Sequence, residues 1–64
     1  MPEIRWQEPL CANGGNACLQ IGHTTDGTPI LRETSAPHEL VTTTPQGLRN
    51  FIEAAKRGEL DHLL

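Results

Sequence analysis

Thr44-Pro45-Gln46-Gly47-Leu48-Arg49-Asn50-Phe51-Ile52-Glu53-Ala54-Ala55-Lys56-Arg57-Gly58 is the stretch from which the fold of this 64-residue chain is read. Leu48, Phe51, Ile52 and Ala55 fall at i, i+3, i+4 and i+7, the apolar stripe of an amphipathic helix. The ends carry matching punctuation. Thr44 suits the N-cap, Pro45 the first helical position and Gly58 the left-handed C′ site, which predicts a helix over about 45–57. Arg49 with Glu53, and Glu53 with Arg57, are opposite charges four residues apart, while Lys56 and Arg57 sit where the helix dipole favours cations. Gly47 is the discordant residue, at a cost of about 1 kcal/mol relative to alanine. So short a helix does not hold by itself, because ordering its backbone costs more than its few apolar side chains return. The stripe therefore has to dock, either on another protein or, as expected here, on a sheet face carrying Leu19 and Ile21.

Upstream of the helix the period changes to that of strands. Ile4-Arg5-Trp6 alternates apolar and polar and suits a short strand. After Glu8-Pro9 and Leu10-Cys11-Ala12, the run Asn13-Gly14-Gly15-Asn16 holds residues that tolerate positive φ, and reads as a hairpin tip. The returning segment Ala17 to Ile21 puts Ala17, Leu19 and Ile21 on one face, Cys18 and Gln20 on the other. A second turn signal, Thr24-Thr25-Asp26-Gly27, precedes a partner strand at Ile30-Leu31-Arg32-Glu33, with Pro29 restricted to its first residue or to a sheet edge. Thr34 to Glu39 is a polar connector, and Leu40 to Thr43 a last strand. Adjacent hairpins make an antiparallel meander the economical arrangement. The expected fold is a single α+β domain over 1–64: three to four short strands packed by one C-terminal amphipathic helix.

Composition limits the function classes. Five basic against eight acidic residues give a net charge of −3, with a pI near 5.4. Scattered cations on an acidic background argue against direct nucleic-acid binding, which rests on neutralising phosphates. The N-terminus has neither the basic nor the apolar region of a signal peptide, and no apolar run approaches the roughly 20 residues that cross a bilayer. The expectation is a cytoplasmic protein with reduced thiols. Enzymatic constellations are scarce: there is no Gly-x-Ser-x-Gly, no phosphate loop, and Ser35 is the one serine. Glu59 and Asp61, two apart beyond the helix, read as a solvated end rather than an acid/base pair. No enzyme and no cofactor are expected.

The two cysteines are candidates for chemistry. With His23 and His38 they suggest zinc, yet the Cys-x6-Cys spacing is wider than that of zinc knuckles and the histidines lack a regular offset. Cys18 then reads as a small buried strand residue. If Asn13 to Asn16 form a four-residue loop, Ala12 pairs with Ala17 and Cys11 with Cys18, which places the two sulfurs close together. Reduced thiols follow from the expected compartment, and a disulfide is the alternative.

With the elements placed, the chain resembles the small actinobacterial BldB-like family, a domain of unknown function, from Trp6 to Asp61. That family opens on a Trp, then has a Gly-rich turn and a Cys followed by Val-Glu-Val; here these are Trp6, Gly14-Gly15 and Cys18-Leu19-Gln20-Ile21. Its apolar pair before Arg-Asp-Ser-Lys corresponds to Ile30-Leu31-Arg32-Glu33-Thr34-Ser35. Its Leu-Thr-Phe-Thr-Pro, later Trp, Phe-Leu pair and closing Lys-x-Gly-Glu-Phe-Asp correspond to Val41-Thr42-Thr43-Thr44-Pro45, Leu48, Phe51-Ile52 and Lys56-Arg57-Gly58-Glu59-Leu60-Asp61. The departures are informative. A Ser-rich stretch is replaced by Gln7-Glu8-Pro9-Leu10-Cys11. Thr43 and Leu48 stand where the family carries Phe and Trp, at the N′ and N4 positions of a hydrophobic staple. Loss of both aromatics together predicts that Thr43 and Leu48 touch.

The resemblance implies regulation rather than catalysis. Such proteins look like accessory partners of Xre-type helix-turn-helix transcription regulators in Streptomyces-like bacteria, sometimes within toxin–antitoxin-like pairs. The chain then acts by binding a cognate regulator, with a toxin-like effector or a Cys-based redox or metal-sensing module as the alternatives. Homo-oligomerisation stays open. Candidate partner contacts are Trp6, Arg32 and the tail residues Leu60, Leu63 and Leu64, which present an apolar patch if exposed. Cys11 and Cys18 are the candidate proximal thiols.

Overall fold

The central hairpin explains the sheet. In the computed structural model, which describes residues 3–11 and 17–64, β2 (Leu19–Thr24) and β3 (Pro29–Glu33) pair antiparallel from Leu19↔Glu33 to His23↔Pro29. They are joined by the four residues Thr25, Asp26, Gly27 and Thr28. Thr24 N donates to Thr28 O at 3.0 Å, and Gly27 N donates back to Thr24 O at 2.9 Å. Gly27 has φ 90°, the left-handed position that closes such a loop. Pro29 takes the first place in β3, the strand position open to a proline.

β1 (Ile4–Trp6) adds outside β2, with Trp6 opposite Gly22. β4 (Val41–Thr42) adds outside β3, giving a four-stranded antiparallel meander in the order β1-β2-β3-β4. The last strand is shorter than the expected Leu40 to Thr43. Beyond β1 the register slips. Trp6 faces Gly22, but Leu10 faces Leu19, so four steps on one strand answer three on the other. The extra residue lies in Gln7-Glu8-Pro9, a bulge that Pro9 suits because it has no N–H to donate. Past the bulge, the Leu10↔Leu19 bridge sets the register that brings Cys11 opposite Cys18. The proposed hairpin tip at Asn13 to Asn16 and the Ala12–Ala17 pairing lie outside the described residues.

Helix α1 (Pro45–Lys56) has the expected caps. The Thr44 side chain accepts a 3.0 Å hydrogen bond from Gly47 N. At the far end Gly58, with φ 76°, donates to Ala55 O while Glu59 N donates to Ala54 O, a Schellman closure. Gly47 has a packing reason, since a Cβ there would collide with Thr43 Oγ1. The helix surface differs from expectation in its charges. Arg57 pairs with Glu59 rather than Glu53, and this is the ion pair found among the described residues. Both side chains are more than half exposed, so the pair contributes little.

The sheet buries the face opposite to the one expected. Directly opposed strand residues share a face, which puts Ile4, Trp6, Cys18, Gln20, Gly22, Thr24, Ile30 and Arg32 together. Cys18, Gln20, Thr24 and Ile30 from this set are buried, whereas Leu19 is 52% exposed. The reason lies in Trp6. Its ring covers Gly22, where no side chain stands in the way, and shelters the neighbouring positions. A Cβ on Gly22 would lie 2.6 Å from Arg5 O and 2.9 Å from Trp6 Cε3. On the other face, with Leu19, Ile21, Leu31 and Val41, the last two share a cavity with Gly47, Leu48 and Phe51 of α1. No residue of α1 is buried, and Phe51 and Ile52 remain 45% and 42% exposed.

Candidate functional site

Three groups of sequence-predicted residues are placed by this fold, and the first is a polar and aromatic cluster on the covered face. The Arg32 guanidinium lies 4.0 Å from the centroid of the Trp6 ring, a stacking attraction of order 1 kcal/mol at a partly exposed site. Arg32 Nε also donates to Gln20 Oε1 at 2.9 Å, and Gln20 Nε2 donates to Gln7 O at 2.7 Å. Gln20 is buried with both ends of its amide used, so it holds the guanidinium at a fixed height above the indole. Trp6 and Arg32, 26 positions apart in sequence, thus form one site. The Nη groups of Arg32 meet no acceptor among the described residues. Arg32 and Glu33 point to opposite faces, as alternation requires, and do not pair.

The second group is Cys11 and Cys18. The structure joins them as a disulfide, with Cα atoms 5.2 Å apart. The bridged register past the bulge sets the two residues directly opposite each other, the proximity expected, and the bond is the alternative to reduced thiols. Cys18 is also held by its backbone, donating to Thr34 Oγ1 at 3.1 Å, while Thr34 N donates to Cys18 O at 2.8 Å. Among the described residues, no three His, Cys, Asp or Glu side chains gather as metal ligands do. With the sulfurs bonded to each other, the imagined set of Cys11, Cys18, His23 and His38 loses its two thiolates.

The third group is the C-terminal tail, where Leu60 starts a short 3-10 turn, Asp61–Leu63. Leu60 is half-buried; Leu63 is 70% exposed and Leu64 fully so. Leu63 and Leu64 are therefore surface residues.

Two acidic side chains stabilise turns rather than a reaction centre. Asp26 accepts from the hydroxyls of Thr24 and Thr28 and from Thr28 N, and these bonds hold its carboxyl below the usual range. Glu33 accepts from the Ser35 hydroxyl and the Ser35 and Ala36 amides, with the same direction of shift. Thr43 and Leu48, predicted to touch, line one cavity of about 190 Å³ together with Leu31, Val41 and Phe51.

A groove of about 340 Å³ adjoins that cavity, floored by Leu19, Leu31 and Val41 and edged by Glu33, Ala36 and Glu39. Sequence reasoning missed this groove, because it assigned Leu19 to the interior. It also missed Gln20 and Gly22. The readable signal was a glycine inside the strand-like run Leu19-Gln20-Ile21-Gly22-His23-Thr24, which marks a close approach of another chain segment. No helix among the described residues is long and apolar enough to cross a membrane. No known family, characterised protein or solved structure matches this chain.

Proposed function

We propose that this chain is a small cytoplasmic accessory protein of the BldB-like kind that binds a helix-turn-helix transcription regulator and modulates it. The observation that carries the reading is the Trp6–Arg32–Gln20 cluster. Trp and Arg dominate the energetics of protein interfaces. An arginine already stacked and hydrogen-bonded loses little further freedom when its outer edge receives a carboxylate from a partner. The net charge of −3 agrees, since the partner rather than this chain then meets the DNA.

Co-expression with an Xre-type regulator encoded beside it is the direct test. The expected result is a co-purifying complex with altered DNA affinity, and Arg32→Ala weakens it at least tenfold with the far-UV circular dichroism unchanged. Absence of any such complex at micromolar concentration overturns the reading, and growth arrest by this chain alone supports a toxin-like effector instead. The disulfide favours one further reading, redox sensing by Cys11 and Cys18. That reading requires partner binding to differ between the oxidised and the dithiothreitol-treated protein.

A further inference from the structure

The exposed face of the sheet and the exposed stripe of α1 carry the inference, and the first consideration is area. A compact monomer of this mass, 7.0 kDa, exposes about 4,000 Å². This chain exposes 5092 Å², about 1,000 Å² in excess, whereas one partner of a standard protein interface contributes about 800 Å². The radius of gyration is likewise large, 12.6 Å against about 10.7 Å for a compact chain of this length. The chain is thus open by roughly one interface.

The second consideration is how much of this face is apolar and exposed. Leu19 and Val41 on the groove floor are 52% and 62% exposed, and Phe51 and Ile52 on the helix stripe 45% and 42%. Groove and stripe are neighbours, because Leu31 and Val41 line both the groove and the cavity beneath Leu48 and Phe51. The third consideration is charge. Glu33 and Glu39 at the edge of the groove carry two negative charges, while the Arg32 guanidinium lies on the opposite face over Trp6. Arg49, Glu53 and Lys56, which flank Leu48 and Ile52 on the outward side of α1, sum to one positive charge. The helix offers the apolar ridge and the charge that the groove lacks. No residue of α1 lines the groove, so the helix does not fill its own groove.

We propose that a second copy of this chain covers this face. In a two-fold dimer each α1 lays Ile52 and its flanking cations into the groove of the other copy. Groove and ridge lie side by side on one face, so a two-fold axis between them lets both ridge-in-groove contacts form at once, and the assembly closes at two. The regulator-binding residues Trp6 and Arg32 are on the opposite face of the sheet, so this inference stands apart from the functional proposal.

Sedimentation equilibrium of the full chain between 1 µM and 1 mM tests it. A species of twice the chain mass is expected in the upper part of this range. Ile52→Glu places a charge on the ridge and shifts the protein to the monomer mass at least tenfold higher in concentration, with circular dichroism unchanged. Lys56→Glu weakens association, and Glu39→Lys added to it restores association at least in part. A monomer mass up to 1 mM overturns the proposal, as does a dimer indifferent to both Ile52→Glu and Lys56→Glu.

Discussion

Gly22→Ala tests the account of the covered face most severely, because two ordinary effects predict opposite signs. In the middle of a strand, alanine is normally preferred to glycine by about 0.5–1 kcal/mol, for reasons of chain entropy. At Gly22 the new Cβ would lie 2.6 Å from Arg5 O and 2.9 Å and 3.0 Å from Trp6 Cε3 and Cα. The oxygen belongs to the backbone of β1, so rotating a side chain does not relieve the overlap. Overpacking of this kind costs about 1–3 kcal/mol. Displacing Trp6 also weakens its stack with Arg32, a loss of about 0.5–1 kcal/mol. The expected net destabilisation is about 1–3 kcal/mol, a large part of the roughly 3–10 kcal/mol that holds a chain of this length. In a domain this small that lowers the melting temperature by about 5–20 °C. Thermal denaturation followed by circular dichroism reads the shift. Trp6, the one tryptophan, reports on the cradle by its own fluorescence, whose emission should move to longer wavelength. A Gly22→Ala protein as stable as the parent or more so, with unchanged emission, refutes the close packing of Trp6 on Gly22.

The disulfide spans a sequence separation of 7, which in the loop-entropy treatment is worth about 2–3 kcal/mol. Urea midpoints with and without dithiothreitol should differ accordingly, and Cys11→Ser should make the midpoint insensitive to the reductant. The hydrogen-bonded Asp26 carboxyl titrates below its ordinary value, so its contribution is complete above about pH 4 and is lost as the pH falls through the folded value. The stability gap between the parent and Asp26→Asn should therefore shrink between pH 5 and pH 2; a constant gap contradicts the assignment. Thr44→Ala removes the oxygen that accepts from Gly47 N and should cost about 1 kcal/mol in chemical denaturation, with helicity lost first at residues 45–48.

The helix was legible because its determinants are local. Thr44, Pro45 and Gly58 act on backbone groups within a turn of themselves, and the spacing of Leu48, Phe51, Ile52 and Ala55 is a property of one segment. The second hairpin was legible for the same reason, since Thr24 to Gly27 can close only one kind of turn well. Even the pairing of Cys11 with Cys18 followed from counting residues across a loop. The candidate contacts Trp6 and Arg32 were also recognisable as residue types, though not as neighbours.

Which face of the sheet is covered was a different kind of question. Alternation sorts Leu19 and Ile21 from Gln20 and Gly22 but does not say which set is sheltered. On hydrophobicity alone the leucine and isoleucine should win. They do not, because Trp6 from a distant strand finds open space over Gly22, and Arg32 and Gln20 complete a satisfied polar layer around its ring. By itself, the sequence determined the elements, their turns and the order of the strands, all of which depend on neighbours along the chain. Tertiary structure alone decided the buried face, the joining of Trp6 to Arg32, and the exposure of the groove and the helix stripe. Those outcomes depend on competition between side chains for the same space, which no single segment contains.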